Sequence, residues 1–534
     1  MFLVDHQLAE SIRGAHKYPQ NIITRTLDAC AWTLTGATTS LDKATPSLFV
    51  KREEEVDLTF RDIDPQEGLK KTNIHLEGKE LEWLGVQSRM NEECPRKPPF
   101  IYAQRRDPKC RFIYIYGIHS RAALKVSRSM LTNVLSYHEV MPAYLDFILA
   151  FGLKYEPDDL KFSAFMEQTT LSAPRGPVTT ELGRSGRQFQ LCYNLRTAIK
   201  KSEENGLGNH QEWSIQPAAI HHQFDVIEGT TLWIVTKGGR DLYHRYKDFS
   251  ASSVRPGGLA FTSPEECLRS SLSTHLMFCR WATEGWRWFL KWLEMTVEEE
   301  TQLAGYSPWK NYRSEHLVRL HRHLDKAAGI VIALETNVDI LTLLREYYCK
   351  LVSSYDYPSA LRNACSDDLH CFDTKLGVMV HNSKMELFRA KSLVDIVKDR
   401  KELIVQHLQT QASERIEAVS NRMEREAIAV RMLTIVFGVY LPGSFVSAFF
   451  STDVVHYSAN DNEKVVFSSI ALDRWLQLTV PLTALTLIFV YWSHSFANKS
   501  AMFNKFMLAN ARGIARSVRS FALRKRATIE STTV

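Results

Sequence analysis

Closely spaced cysteine pairs are missing from this 534-residue chain. Its nine cysteines, Cys30, Cys94, Cys110, Cys192, Cys267, Cys279, Cys349, Cys365 and Cys371, are scattered and odd in number. That pattern argues for reduced thiols in a cytosolic compartment, not a disulfide scaffold. With no C-x-x-C, a closed zinc site has little support. A basic flank ahead of a long apolar run is missing at the start, where Asp5 and Glu10 come early. Neither an ordinary secretory signal nor a mitochondrial presequence is expected. Charge of one sign is missing from the bulk. Lys and Arg total 66 and Asp and Glu 60, a formal +6. Residues 499–534 hold eight bases, from Lys499 to Arg526, and one acid, Glu530. That tail is +7, which leaves −1 for the rest. Phosphate contact needs distributed positive charge, so a nucleic-acid partner is not expected.

Enzyme signatures are sparse as well. His316, His321 and His323 do not form H-E-x-x-H and read as solvated positions on a helix. His221 and His222 fall in a strand, where alternation sends them to opposite faces and makes joint metal ligation poor. Gly183-Arg184-Ser185-Gly186-Arg187 lacks the remainder of a phosphate loop and reads as a turn. No nucleophile comes with an ordered base and acid. A catalytic residue or prosthetic group is therefore not expected.

Mean hydropathy is −0.22. That excludes a chain made mostly of membrane spans, but not one or two. Residues 1–80 are mixed and charged, interrupted by Pro19, Pro46 and Pro65, and have no assigned task. Residues 81–245 read as one cytosolic α/β domain. Phe112–Tyr116, Gln188–Tyr193, Ala218–Val226 and Thr231–Thr236 are its strands, the last two joined by a hairpin turn. Ala122–Phe151 is helical, with Pro142 opening a second helix. Residues 246–267, with Pro256, Gly257, Gly258 and Pro264, read as a linker. Residues 268–372 are a helical cytosolic region, and 375–431 a long stalk helix. No Gly or Pro falls between Val378 and Phe437. Ile404, Leu408, Ala412, Ile416, Val419, Met423 and Ala427 recur three or four apart along the stalk. An apolar stripe of that length must pack against partners, in a helical bundle or coiled coil.

Two charge-free runs follow. Met432–Thr452 and Trp475–Asn498 are each long enough for a hydrocarbon core of about 30 Å. Buried core helices are the alternative to transmembrane helices 1 (432–452) and 2 (475–498). Trp475, Tyr491 and Trp492 bracket the second run as interfacial aromatics do. The loop 453–474 is net −2, and the tail 499–534 is basic. By the positive-inside rule both termini are cytosolic. On the first run, Ala427, Val430, Thr434, Gly438, Leu441, Ser444, Ala448 and Ser451 share one face. Small and hydroxylated residues there suit close helix packing or a narrow water-filled path. One hairpin cannot enclose a pore, so conduction requires a ring of subunits.

This layout resembles that of the CorA-type magnesium transporters. The local match is Tyr440-Leu441-Pro442-Gly443-Ser444-Phe445-Val446-Ser447-Ala448-Phe449-Phe450, which looks like that family's aromatic-Leu-Pro…Phe pattern. Phe112-Ile113-Tyr114-Ile115, Tyr137–Pro142 and Phe147–Gly152 resemble the divergent CorA-like proteins of filamentous fungi. The resemblance covers 375–526 well and 81–370 loosely, and leaves 1–80 outside. It implies a CorA-like fold: an α/β cytosolic domain, a long-helix bundle and two C-terminal transmembrane helices. It implies a homo-oligomer, pentameric in the family, in contact with membrane lipid and passing Mg2+ or another divalent cation. The family's Gly-Met-Asn positions fall here on Ser451, Thr452 and Asp453. A ring of Asp453 carboxylates attracts a divalent cation; the alternative is a residue that only ends the helix. The resemblance places Thr434, Ser444 and Ala448 on the pore face, with Val430 and Leu441 as hydrophobic constrictions. A non-conducting membrane sensor or scaffold, and a soluble helical interaction protein, are the competing classes. A cytosolic bulk fits the plasma membrane, with organelles open.

Overall fold

The structure is a computed structural model. It describes residues 2–25, 31–89, 100–119, 121–153, 162–172, 179–200, 213–251, 261–306, 312–451 and 472–492. The chain divides into two compact units, Met1–His407 and Leu408–Val534.

Ten strands are described: β1 Phe2–Leu3, β2 Leu58–Asp64, β3 Gly68–Ile74, β4 Val86–Arg89, β5 Phe100–Ala103, β6 Cys110–Ile115, β7 Phe165–Thr170, β8 Gln188–Lys200, β9 Trp213–Asp225 and β10 Thr231–Lys237. Seven form one sheet in the order β3-β2-β6-β10-β9-β8-β7. Only β10 and β6 pair in parallel within it. The other three form a small antiparallel sheet. Both faces of the large sheet are covered, which is why β6 and β10 are buried along their whole length.

Alternation feeds two cores. Ile113, Ile115 and Ile234 point to one, built with helices α1 (His6–Arg13), α2 (Ala31–Leu48), α3 (Lys79–Leu84), α4 (Arg128–His138) and α5 (Tyr144–Leu149). Phe112, Tyr114 and Trp233 point to the other. That side is closed by α6 (Gly239–Ala251), α7 (Pro264–Thr283), α8 (Trp286–Tyr306), α9 (Ser314–Ser353), α10 (Ser359–Ala364) and the start of α11 (Ser366–Phe450). The result is a three-layer α/β/α domain.

Three expectations change. The sheet does not begin at residue 81, because β2 sits between β3 and β6, with Phe60 opposite Ile113. The reason is the buried pair Arg61 and Asp62, which hides the strand pattern; Asp62 is held by Arg111 at 2.9 Å. The 246–267 linker shrinks at both ends. Tyr246 on α6 is buried, its ring 3.8 Å from that of Phe112. Pro264 occupies the first turn of α7, behind the Ser263 cap, which accepts from the Glu266 amide. Pro256, Gly257 and Gly258 lie outside the described residues. The long helix starts at Ser366 instead of 375 and runs 85 residues, about 130 Å at ~1.5 Å per residue.

Among the described residues, α9, α11 and the helix α12 (Leu472–Trp492) are long and apolar enough to cross a membrane. α9 spends its apolar residues in the domain, where Leu334 and Leu341 are buried. Its Asn337 amide donates to the carbonyls of Arg196 (2.7 Å) and Ala282 (3.1 Å). The apolar windows of α11 and α12 are almost bare.

Candidate conduction path

The end of α11 and α12 pack through small residues. A side chain at Gly438 would meet Leu487, and one at Gly443 would meet Thr479 and Trp475. Trp475 Nε1 donates to Ser447 Oγ at 3.0 Å. Val446 and Thr479 are buried between the helices. This is the close approach that small residues permit without a hydrophobic drive from water. Pro442 sits in the middle of it, buried. The Thr486 hydroxyl reaches across from α12 to the Gly438 carbonyl at 3.1 Å.

The expected pore-facing residues are mostly uncovered. Val430 is 65% exposed and Leu441 61%; Thr434, Ser444, Ala448 and Ser451 are also exposed. Ser444 and Ala448 lie two residues either side of Val446, so each is turned about 160° from it around the helix. Thr434 and Leu441 also line a groove with Leu482, Thr486 and Val490. Gly438, read on the same face, instead packs toward α12. The hydroxyls of Thr434, Ser444 and Ser451 donate to the helix's own carbonyls at Val430 (2.8 Å), Leu441 (3.1 Å) and Ala448 (2.8 Å). Each spends its one proton, which leaves the oxygen lone pairs free to accept from water or meet a cation. Thr452 and Asp453 lie outside the described residues, as do the tail and all of the acidic loop before Leu472.

Three histidines, His221, His222 and His275, are fully buried in the domain. His221 Nδ1 is 3.2 Å from Cys192 Sγ on one side of the sheet. His222 Nδ1 is 3.1 Å from His275 Nε2 on the other, and Tyr193 Oη is 2.6 Å from His275 Nδ1. Burial pushes His221 and His275 down to about 3. Among the described residues no three metal-ligating side chains come together. His323 departs from expectation: its side chain is 12% exposed and lies 3.3 Å from Glu300, because α8 packs against α9 there.

Residues 183–187 do turn, with Gly183 and Gly186 at positive φ. The local sequence did not reveal what the turn holds. Arg184 donates to Asp107 (2.9 Å) and to the Tyr137 carbonyl (2.7 Å), and Arg111 bridges Asp107 and Asp62. Burial opposes ionisation of Asp107, but Arg184 and Arg111 outweigh it and hold the carboxyl well below its usual range. These partners are 4 to 77 positions from Asp107, and no motif ties them together.

A mixed α/β/α domain whose last helix runs on for 85 residues, ending against a second bare apolar helix, defines a membrane protein with a large water-exposed domain. The chain belongs to the CorA-like transporters, whose family model matches residues 10–305. It is a transporter and not an enzyme. The match falls on the α/β/α domain and takes in most of the first 80 residues, which the motifs had left outside. No curated protein matches the chain. The CorA magnesium transporter from Methanocaldococcus jannaschii is similar over 81% of this chain and 97% of its own, at 10% identity and a TM-score of 0.28. The full-length CmaX protein is similar over 84% and 99%, at 12% identity and a TM-score of 0.31. The ZntB cytoplasmic domain from Vibrio parahaemolyticus is similar over 60% and 98%, at 10% identity and 0.28.

Proposed function

We propose that the chain assembles as a homo-oligomer, a pentamer by family resemblance, and passes Mg2+ or another divalent cation through a path lined by transmembrane helix 1. The carrying observation is the uncovered face of that helix, where Thr434 offers an oxygen between Val430 and Leu441 and Ser444 and Ser451 offer theirs beyond Leu441. Ser451, Thr452 and Asp453 stand at the outer mouth in place of Gly-Met-Asn and belong to the divergent subgroup that the fungal proteins represent. Two spans, 432–452 and 475–498, place the acidic loop outside and both termini in the cytosol, in keeping with the charges. The basic tail lies against anionic headgroups of the plasma membrane. The domain boundaries are those read from the sequence, moved so that the sheet includes residues from 58 onward, the linker lies between α6 and α7, and the long helix starts at Ser366. Transport is passive. An inside-negative potential of 100 mV favours entry of a divalent ion by roughly 4.6 kcal/mol.

The test is metal uptake into proteoliposomes. Asp453→Ala is expected to cut uptake severely, and Leu441→Asp to change it by hydrating a constriction. No uptake by the wild-type chain, with its oligomer intact, overturns conduction. That result supports the second reading, a membrane sensor or scaffold that kept the architecture. The loss of Gly-Met-Asn favours that reading.

A further inference from the structure

Pro442 has no N–H, so the helix cannot satisfy the carbonyl four residues back, at Gly438. In a hydrocarbon surround that oxygen finds no water, and an unsatisfied carbonyl is costly. The structure supplies a donor from the other helix: Thr486 Oγ1 lies 3.1 Å from Gly438 O. The same hydroxyl lies 2.8 Å from Thr483 O, one turn back on its own helix. A threonine hydroxyl has one proton, so it serves one carbonyl at a time. Gly438 lies against α12, where a Cβ would stand 3.9 Å from Leu487. Pro442 is buried and Thr486 half-buried, beside the groove that also holds Thr434 and Leu441.

We propose that Thr486 is the latch of a proline hinge in transmembrane helix 1, a positioning residue for the conduction path. With its proton on Gly438 O the hinge is closed onto α12. With the proton on Thr483 O the Gly438 carbonyl is released toward the groove and left to another donor, and the first span bends there without breaking a helical bond of its own. The proposal rests on the reading that this segment crosses a membrane. Retention of the wild-type chain in carbonate-washed membranes tests that reading separately.

The experiment is a double-mutant cycle on the full-length protein in detergent, read by thermal unfolding and by amide hydrogen exchange around residues 438–446. Thr486→Val keeps the shape and removes the donor. It is expected to shift the local opening equilibrium by about fivefold, the worth of one net hydrogen bond. Thr486→Ser restores the wild-type values. In a Pro442→Ala background the new amide serves Gly438 O, so Thr486→Val becomes silent. Equal effects of Thr486→Val in both backgrounds, or none in the wild type, overturn the latch. If Pro442→Ala does not assemble, the Ser and Val variants decide alone, and failure of Ser to rescue overturns it. In a conducting protein, metal uptake falls severalfold in Thr486→Val and is kept in Thr486→Ser. A chain that carries no metal but shows the non-additive cycle retains the latch and loses only the conduction reading.

Discussion

Burial decides the chemistry of single residues here. His221 and His275 are held to about 3 by desolvation, against an ordinary value near 6.5. The unfolded chain binds protons on these rings below about pH 6.5, while the folded chain stays neutral down to about pH 3. Stability is therefore full above pH 6.5 and falls as pH drops through that window, by up to ~1.4 kcal/mol per pH unit for each ring. Between pH 6.5 and 5 ordinary carboxylates remain ionised, so the slope there belongs to the histidines. The midpoint of thermal unfolding is expected to decline across that interval, and less steeply in His275→Gln. A flat profile would sink the assignment. Asp107 works the other way. Its depressed value means its share of stability is present above about pH 4 and is lost only in stronger acid. Neither effect was legible beforehand, since a titratable side chain does not announce its depth.

At the scale of elements, α11 shows two kinds of contact with unequal weight. Within the first unit its Leu393, Val397 and Ile404 are buried. Arg389 makes a bidentate pair with Glu294 (2.8 and 2.6 Å), and Lys391 pairs with Glu335 at 2.6 Å. Both pairs are partly exposed, so they set register more than they stabilise. Leu393→Ala is expected to cost about 2–5 kcal/mol, and Arg389→Ala only ~0.2–1 kcal/mol. Chemical denaturation of the full chain compares them, and equal losses would contradict the ranking. Periodicity announced this helix but understated it. The sequence divides it into a stalk over 375–431 and a span over 432–452, whereas one helix runs from Ser366 to Phe450 through Gly377, Gly438 and Pro442. Packing supports the continuity through Pro442, because the Thr486 hydroxyl reaches the Gly438 carbonyl that the proline leaves without an amide donor. Strand β2 was missed for the opposite reason. Arg61 and Asp62 look like surface residues until their partners are known, and Asp62 finds Arg111 forty-nine positions away.

For the whole molecule, the stripe on the stalk beyond residue 407 is left uncovered in a single copy. Ile416 is 70% exposed and Met423 63%. Apolar side chains repeated along a helix at that exposure call for a covering surface, and in the proposed assembly neighbouring copies provide it. Ile416→Asp together with Met423→Asp is expected to lower the oligomeric state. Sedimentation in detergent measures this, and an unchanged assembly would remove the stripe from the interface. Scattered cysteines, a neutral body and a lone basic tail describe a reduced, water-facing domain tied to one end. Two charge-free runs and the charges flanking them are determined by the sequence alone, because burying unpaired charge in hydrocarbon is prohibitive in any fold. So is the presence of strands at β6, β8, β9 and β10, runs rich in aromatic and β-branched residues, the last two joined by a local turn. Only the tertiary structure decided that residues 58–74 complete the sheet. It alone decided that Asp107 binds two arginines, and which residues of the first span face α12. Those outcomes depend on partners tens of residues apart, whose meeting no local period records.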